Sequence, residues 1–130
     1  MLGARLMAAV TGCMNVAVGV LYISPEELVR RPLQPGQVSA VVWVEHSTGP
    51  IWFLGFVLTG LALLLSAIRK RGFIFSHVAS SVFLAFYAGC ILFSALLTEP
   101  PVPVVHGTFA GFFAILHIAI ARGDAERGCR

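Results

Sequence analysis

Four uninterrupted apolar stretches account for most of the chain, and no Lys, Arg, Asp or Glu lies within them. They cover residues 6–23, 50–68, 72–98 and 102–121. A bilayer core about 30 Å thick is crossed by a helix of about 20 apolar residues. With four such stretches in 130 residues, too little polar sequence remains to cover a water-soluble surface. The sequence therefore predicts an all-α integral membrane protein with four transmembrane helices.

Composition supports a single domain that spans residues 1–130. The chain is 58% hydrophobic and 12% charged, and no polar stretch is long enough to fold as a separate soluble domain. We therefore expect the four helices to run antiparallel in one bundle. The isoelectric point near 9.1 does not indicate nucleic-acid binding, because the basic residues lie at the ends of the apolar stretches and form no groove with interleaved aromatic residues.

The placement of charge predicts the orientation in the membrane. The connection Arg69-Lys70-Arg71 is the shortest and most basic loop, and such loops stay in the cytoplasm. With four crossings, both termini are then cytoplasmic and the other two loops face outward. Those loops carry most of the acidic residues, namely Glu26, Glu27, Glu45 and Glu99. We expect a multi-pass protein of the inner (plasma) membrane, from a bacterium or a phage.

The long connection between the first two helices predicts a short interfacial helical element. Ser24-Pro25, with Glu27 three residues after the serine, is typical of a helix start, and we expect a short helix that ends near Arg31. The apolar segment 38–44 follows and contains Trp43, a residue type that favours the membrane–water boundary. We expect this loop to cover the bundle, and a re-entrant pore loop is the alternative.

Each predicted helix carries a stripe of small or polar residues. Helices in lipid associate through close packing of small residues and through interhelical hydrogen bonds, so we expect these stripes to form the packing surfaces. The alternative is that some of them line a polar path or drive self-association. The predicted packing residues are Asn15, Gly19, Gly55, Thr59, Ser80, Gly89, Gly107 and Gly111.

The four histidines fall into two predicted depth layers. His106 and His117 are eleven residues apart on the fourth helix, which places them about 16 Å apart along one face. His46 precedes the second helix, and His77 lies near the start of the third. In the predicted topology His46 and His106 are the outer pair, and His77 and His117 are the inner pair.

Two stacked histidine pairs in a four-helix membrane bundle resemble the arrangement of b-type dihaem electron carriers, where imidazoles ligate haem iron. The resemblance implies that all four histidines bind a cofactor. The sequence favours a different interpretation, in which they are interfacial or interhelical hydrogen-bonding residues and the protein has no cofactor. The reason is that no carboxylate stands behind His77 or His117 to orient them as ligands.

The sequence contains no convincing catalytic motif: HExxH, GxSxG, a P-loop and zinc-ligand Cys/His spacing are all absent. We therefore expect a non-enzymatic protein that acts by packing in the bilayer with itself or with another membrane protein, as an accessory or scaffold subunit. In size, helix number and short charged C-terminal tail, the chain is also similar to multi-span holins. That likeness implies a pore-forming lysis protein as an alternative.

Overall fold

The structure is a computed structural model that describes residues 2–25, 35–97 and 104–128. These residues contain five helices and no strand. The helices are α1 (Leu2–Leu21), α2 (Ala40–Thr48), α3 (Ile51–Arg69), α4 (Phe73–Leu97) and α5 (Val104–Glu126). All but α2 are long and apolar enough to cross a membrane. The predicted all-α fold with four membrane-spanning helices is therefore confirmed.

Two helices extend beyond the apolar stretches that predicted them. α1 begins at Leu2 and includes Arg5, whose Nε donates a hydrogen bond of 3.0 Å to the Ala67 carbonyl oxygen of α3. α5 continues to Glu126, and Gly128 follows with a φ of 69°, a conformation that commonly ends helices. The difference arises because the edge of an apolar stretch does not interrupt backbone hydrogen bonding.

α1 and α3 pack antiparallel, and their backbones approach closely at two glycines that the sequence analysis did not select. A Cβ atom on Gly12 would lie 2.9 Å from the Gly60 carbonyl oxygen, and one on Gly60 would lie 2.8 Å from the Gly12 carbonyl oxygen. Gly19 has a similar role, because its Cβ would lie 2.8 Å from Val57. Small residues at such contacts allow helices to pack closely in lipid.

α4 and α5 form the second tightly packed antiparallel pair. Ser81 of α4 donates a hydrogen bond of 2.7 Å to the Ala114 carbonyl oxygen of α5, and a Cβ on Gly107 would lie 2.9 Å from the Ile91 side chain. The two pairs meet where α3 contacts α4. There Gly55 provides the space that the Phe83 ring fills, since a Cβ at Gly55 would overlap that ring.

The segment between α1 and α3 contains helix α2, which lies against α3 and α4. The backbone N–H of Ala40 donates a hydrogen bond of 2.7 Å to Ser94 of α4, and Trp52 of α3 donates one of 3.0 Å to the Val41 carbonyl oxygen. Trp43 is 69% exposed. The helix predicted from Ser24 to Arg31 lies mostly outside the described residues.

The basic residues within the described ranges collect at one end of the bundle. Arg5 contacts the last turn of α3, and the exposed Arg69-Lys70-Arg71 turn joins α3 to α4. The C-terminal turn of α5, with Arg122 and Arg127, lies at the same end, since α5 runs antiparallel to α4. We call this the basic end. Which side of a membrane it faces stays a prediction.

Candidate functional site

His77 of α4 and His117 of α5 form a buried pair near the basic end. Both side chains are 0% exposed. Their Nδ1 atoms are 2.8 Å apart, within hydrogen-bond distance, and their ring centroids are 5.0 Å apart. The structure thus brings together the two histidines that the sequence analysis assigned to one depth layer.

The register of α4 against α5 places these two rings together. Ser81 lies one helical turn after His77, and its hydroxyl bonds the carbonyl oxygen of Ala114, one turn before His117. Because the helices are antiparallel, a bond at that level brings the two histidines to the same level one turn closer to the basic end. The small side chain of Ala114, which is buried, lets the helices approach there.

The hydrogen bond fixes how many protons the pair can hold. One Nδ1 must carry a hydrogen and the other must offer its lone pair, and either ring can be the donor. In a neutral pair the donor ring then has a bare Nε2, while the acceptor ring has a protonated Nε2. Both Nε2 atoms are buried without a hydrogen-bond partner among the described residues. The pair can therefore accept one extra proton, at the bare Nε2, and keep its hydrogen bond.

Asp124 adds a buried carboxylate to the histidine pair. It is 0% exposed, and it lies seven residues after His117, on nearly the same face of α5 and about 10.5 Å along its axis. No hydrogen bond joins Asp124 to either imidazole among the described residues, so the expectation that no carboxylate orients the pair is not contradicted. The seven-residue spacing was the available signal, but Asp124 lies beyond the predicted apolar stretch and resembled a residue of a solvated tail.

Arg127 links this buried carboxylate to the surface. Its Nη2 donates a hydrogen bond of 2.7 Å to Asp124 Oδ1, and its side chain is 61% exposed. The second carboxylate oxygen, Oδ2, is buried and has no hydrogen-bond partner within the described ranges. The cluster therefore contains a positive charge at the protein surface, a buried negative charge, and two buried imidazoles.

The other two histidines do not form a pair. His46 of α2 and His106 of α5 are both exposed, and no hydrogen bond or ring contact joins them in the part of the chain that the structure describes. The sequence predicted two histidine pairs, and within the described residues only His77 and His117 are in contact.

The geometry of the histidine pair leaves no room for a metal ion between the two Nδ1 atoms. A metal between two imidazoles needs two metal–nitrogen bonds of about 2 Å each, and so a nitrogen separation near 4 Å. The Nδ1 atoms of His77 and His117 are in direct contact at 2.8 Å. Residues 2–25, 35–97 and 104–128 also contain no group of three or more His, Cys, Asp or Glu that could hold a metal ion.

A second set of buried polar groups lies between α1, α3 and α4. Asn15 is 0% exposed, and its Nδ2 donates a hydrogen bond of 3.2 Å to Thr59. The Tyr22 and Tyr87 hydroxyls are 2.6 Å apart. Asn15 Oδ1 and the Oγ of the fully buried Ser80 have no partner among the described residues. Asn15, Thr59 and Ser80 are among the predicted packing residues, and Asn15 and Ser80 are buried in the interior.

The predicted packing glycines differ in what they contact. Gly19, Gly55 and Gly107 lie against neighbouring helices. Gly89 does not, because it is exposed and a Cβ there would meet nothing within 4 Å. Gly111 permits no unusually close approach, since its Cβ would lie 3.8 Å from Ala88, an ordinary van der Waals distance. The GxxxG spacing could not reveal which glycine faces a helix.

Comparison of the chain with protein-family models, with curated proteins and with solved structures found no match.

Proposed function

We propose that this protein is a non-catalytic, multi-pass membrane protein whose working element is the His77–His117 pair, and that the pair takes up and releases one proton within the bundle. The observation that carries the proposal is the 2.8 Å contact between two fully buried imidazoles. Ionisable side chains inside membrane-spanning segments are rare and commonly belong to proton or ion pathways.

Helix packing alone does not explain why these polar side chains are buried together. A buried donor or acceptor without a partner costs about 1–3 kcal/mol, and both histidine Nε2 atoms and Asp124 Oδ2 are in that state. Apolar residues of similar volume pack helices equally well or better than a buried polar group does. The cluster retains polar atoms that apolar packing does not require, and this supports a chemical role.

The proton enters the cluster at the bare Nε2 of the donor ring. The extra positive charge is then shared over the hydrogen-bonded pair. Arg127 holds Asp124 Oδ1 from the surface side, so the carboxylate keeps its other oxygen for the interior. This arrangement gives the pair a charged neighbour on the side nearest to water.

A proton titration tests this proposal. We would record the infrared histidine bands of the full chain in lipid nanodiscs as the pH is lowered from about 9 to about 4, a range that spans ordinary histidine titration. His77→Asn should remove one titrating component, while His106→Asn, a change at an exposed histidine, should leave that component in place. A buried pair that stays neutral throughout the range would contradict the proposal.

We also propose, as a second candidate, that the protein acts as an accessory or scaffold subunit or self-associates in the bilayer. The supporting observation is that Ala85 and Gly89, a small-xxx-small pair on α4, are both exposed and could meet another helix. Gly89→Leu should lower the cross-linked dimer fraction in nanodiscs or membranes, while Leu58→Val, at an exposed position of α3, should not. Equal dimer fractions would contradict this candidate.

The holin-like alternative has its own readout. A pore-forming protein should admit a small membrane-impermeant dye soon after expression, whereas an accessory subunit or a protein that binds or conducts only protons should not. Dye uptake by the expressing bacterium separates these outcomes.

We propose that the basic end faces the cytoplasm, in an inner (plasma) membrane. The support is the collection of Arg5, the 69–71 turn and the α5 C-terminus at one end of the bundle, since basic loops stay in the cytoplasm. A reporter that is active only in the cytoplasm should be active after residue 130 and silent when inserted near Gly36. The reverse pattern would contradict the orientation.

A further inference from the structure

We infer that a hydrated polar path continues from the His77–His117 pair toward the opposite end of the bundle, through Ser80, Asn15 and the Tyr22–Tyr87 hydroxyls, and that it conducts protons across the membrane. This inference rests on the proposed function, because the histidine pair is where the path begins.

Ser80 is the first step away from the histidines. It follows His77 by three residues on α4, a rise of about 4.5 Å, and it precedes Tyr87 by seven residues, which places Ser80 and Tyr87 on nearly the same face of the helix. Ser80 is 0% exposed, and its Oγ has no hydrogen-bond partner in the described part of the chain. A polar atom with no partner among the described residues therefore lies between His77 and Tyr87 along α4.

Asn15 and Thr59 provide polar groups at the same depth. On α3, Thr59 lies between Gly55, which contacts Phe83, and Ser66, which contacts Ser76. Because α3 and α4 are antiparallel, these two contacts place Thr59 level with Ser80 of α4. Asn15 donates to Thr59 and keeps a buried Oδ1 without a partner.

The two tyrosines continue the path toward the end that α2 covers. Their hydroxyls are 2.6 Å apart, and either can donate to the other. Trp52 and Phe56 pack against the Tyr87 ring, with centroid separations of 5.1 Å and 5.2 Å. These apolar rings pack beside the tyrosine whose hydroxyl makes the bond, and the bond itself is partly buried.

Water completes the connections between these groups. A buried water molecule makes about three hydrogen bonds to polar groups that lack partners, and in hydrocarbon such groups are costly. Ser80 Oγ, Asn15 Oδ1 and the histidine Nε2 atoms are of this kind. In each step a water or hydroxyl O–H, or an imidazolium N–H, passes its proton to the next oxygen or imidazole nitrogen, which releases its own proton onward, so no electron is transferred. The Asn15 amide holds water by hydrogen bonds and does not transfer a proton itself.

The charged and titratable groups around the path lie mostly at its two ends. At the basic end they are Asp124 and Arg127 of α5 and Arg5 of α1, while the arginines and lysine of the α3–α4 turn are exposed. Toward the other end they are Cys90 of α4, which is buried, and Glu45 of α2. A proton in the middle of the path therefore meets mainly hydroxyl, amide and imidazole groups.

Proton flux into liposomes tests the path. The full chain would be reconstituted in vesicles that contain a pH-sensitive dye, and a potassium diffusion potential would drive protons inward. The wild type should acidify the vesicles faster than protein-free vesicles. Tyr87→Phe and Ser80→Ala should each lower the rate by about tenfold or more, since each removes a proton-transfer group. Ser47→Ala is the control, because Ser47 is exposed on α2 and outside the path.

Each outcome has a defined consequence. If Tyr87→Phe does not fold, Ser80→Ala decides, because it removes a single oxygen. Flux that equals that of protein-free vesicles, or equal loss of flux in Ser47→Ala and Ser80→Ala, would overturn the path. If the histidine pair titrates in nanodiscs and there is no flux, the path fails and the proposed function stands. If the pair does not titrate, the proposed function fails.

Discussion

The two tightly packed helix pairs, α1 with α3 and α4 with α5, differ in the contacts that join them. α1 and α3 meet through glycine backbones, at Gly12 and Gly60, with no ionisable side chain between them at that level. α4 and α5 meet through the buried His77–His117 pair. α1 and α3 also share the hydrogen bond from Asn15 to Thr59 but no buried ionisable pair, so the comparison teaches that two helices of this bundle pack closely without one.

The largest expected effect is at the glycine contact of α1 and α3. Gly60→Leu should destabilise the bundle by about 3 kcal/mol or more, because its Cβ would lie 2.8 Å from the backbone oxygen of Gly12 and backbone cannot move aside as a side chain can. Gly89→Leu is the matched control, since Gly89 is exposed. Thermal unfolding in detergent measures both, and equal melting temperatures would contradict the packing described here.

The histidine pair should behave as a coupled unit. His117→Leu alone should cost about 1–3 kcal/mol, because it leaves the buried His77 ring without its partner. The double variant with His77→Leu should cost less than the sum of the two single variants, since apolar residues can replace a buried polar pair. A double-mutant cycle measures this coupling, and additive losses would show that the rings do not depend on each other.

Loss of the Asp124–Arg127 ion pair should lower stability more than loss of the exposed Arg122–Glu126 ion pair in the same turn of α5. Arg127→Gln should lower stability by about 1–2 kcal/mol, because it leaves a fully buried carboxylate with a weaker partner. Arg122→Gln should change stability by less than about 0.5 kcal/mol, since Arg122 and Glu126 are both exposed. Equal effects in chemical unfolding would indicate that Asp124 is solvated.

The smallest expected effects separate the two glycines of the GxxxG spacing. Gly111→Ala should stabilise α5 by about 0.5–1 kcal/mol, the usual gain from replacing a helical glycine, because its Cβ would meet Ala88 at an ordinary 3.8 Å. Gly107→Ala should be destabilising, because its Cβ would lie 2.9 Å from Ile91. Calorimetry that ranks these variants in the opposite order would contradict the assigned faces.

The features that depend on composition along the chain were predictable, and those that depend on the rotation of each helix were only partly so. Hydropathy alone identified four spanning helices, because the bilayer sets their length and composition. The inward position of Asn15 followed from the cost of an amide in hydrocarbon. Lipid and the bundle interior both favour apolar side chains, so the pattern did not show that Gly89 faces outward or that Gly12 and Gly60 meet.

The candidate site was also only partly predictable, because the sequence indicates depth along a helix better than rotation about its axis. Depth along the helices placed His77 and His117 in one layer, because depth depends only on residue count and topology. Their direct contact depends on the rotation of α4 and α5, which a bond between Ser81 and Ala114 helps to set. Asp124 was missed because a charged residue after an apolar stretch is normally solvated, and its seven-residue spacing from His117 shows a shared face but not burial.

The proposed proton binding by His77 and His117 depends most directly on the hydrogen bond between the two buried imidazoles. Nuclear magnetic resonance of the protein labelled with ¹⁵N-histidine can detect a coupling that is transmitted across a nitrogen–nitrogen hydrogen bond. We predict a coupling between Nδ1 of His77 and Nδ1 of His117 that disappears in His77→Asn, and no such coupling for His46 or His106. Four uncoupled histidines with the spectra of water-exposed rings would contradict the buried pair and the proton-binding function built on it.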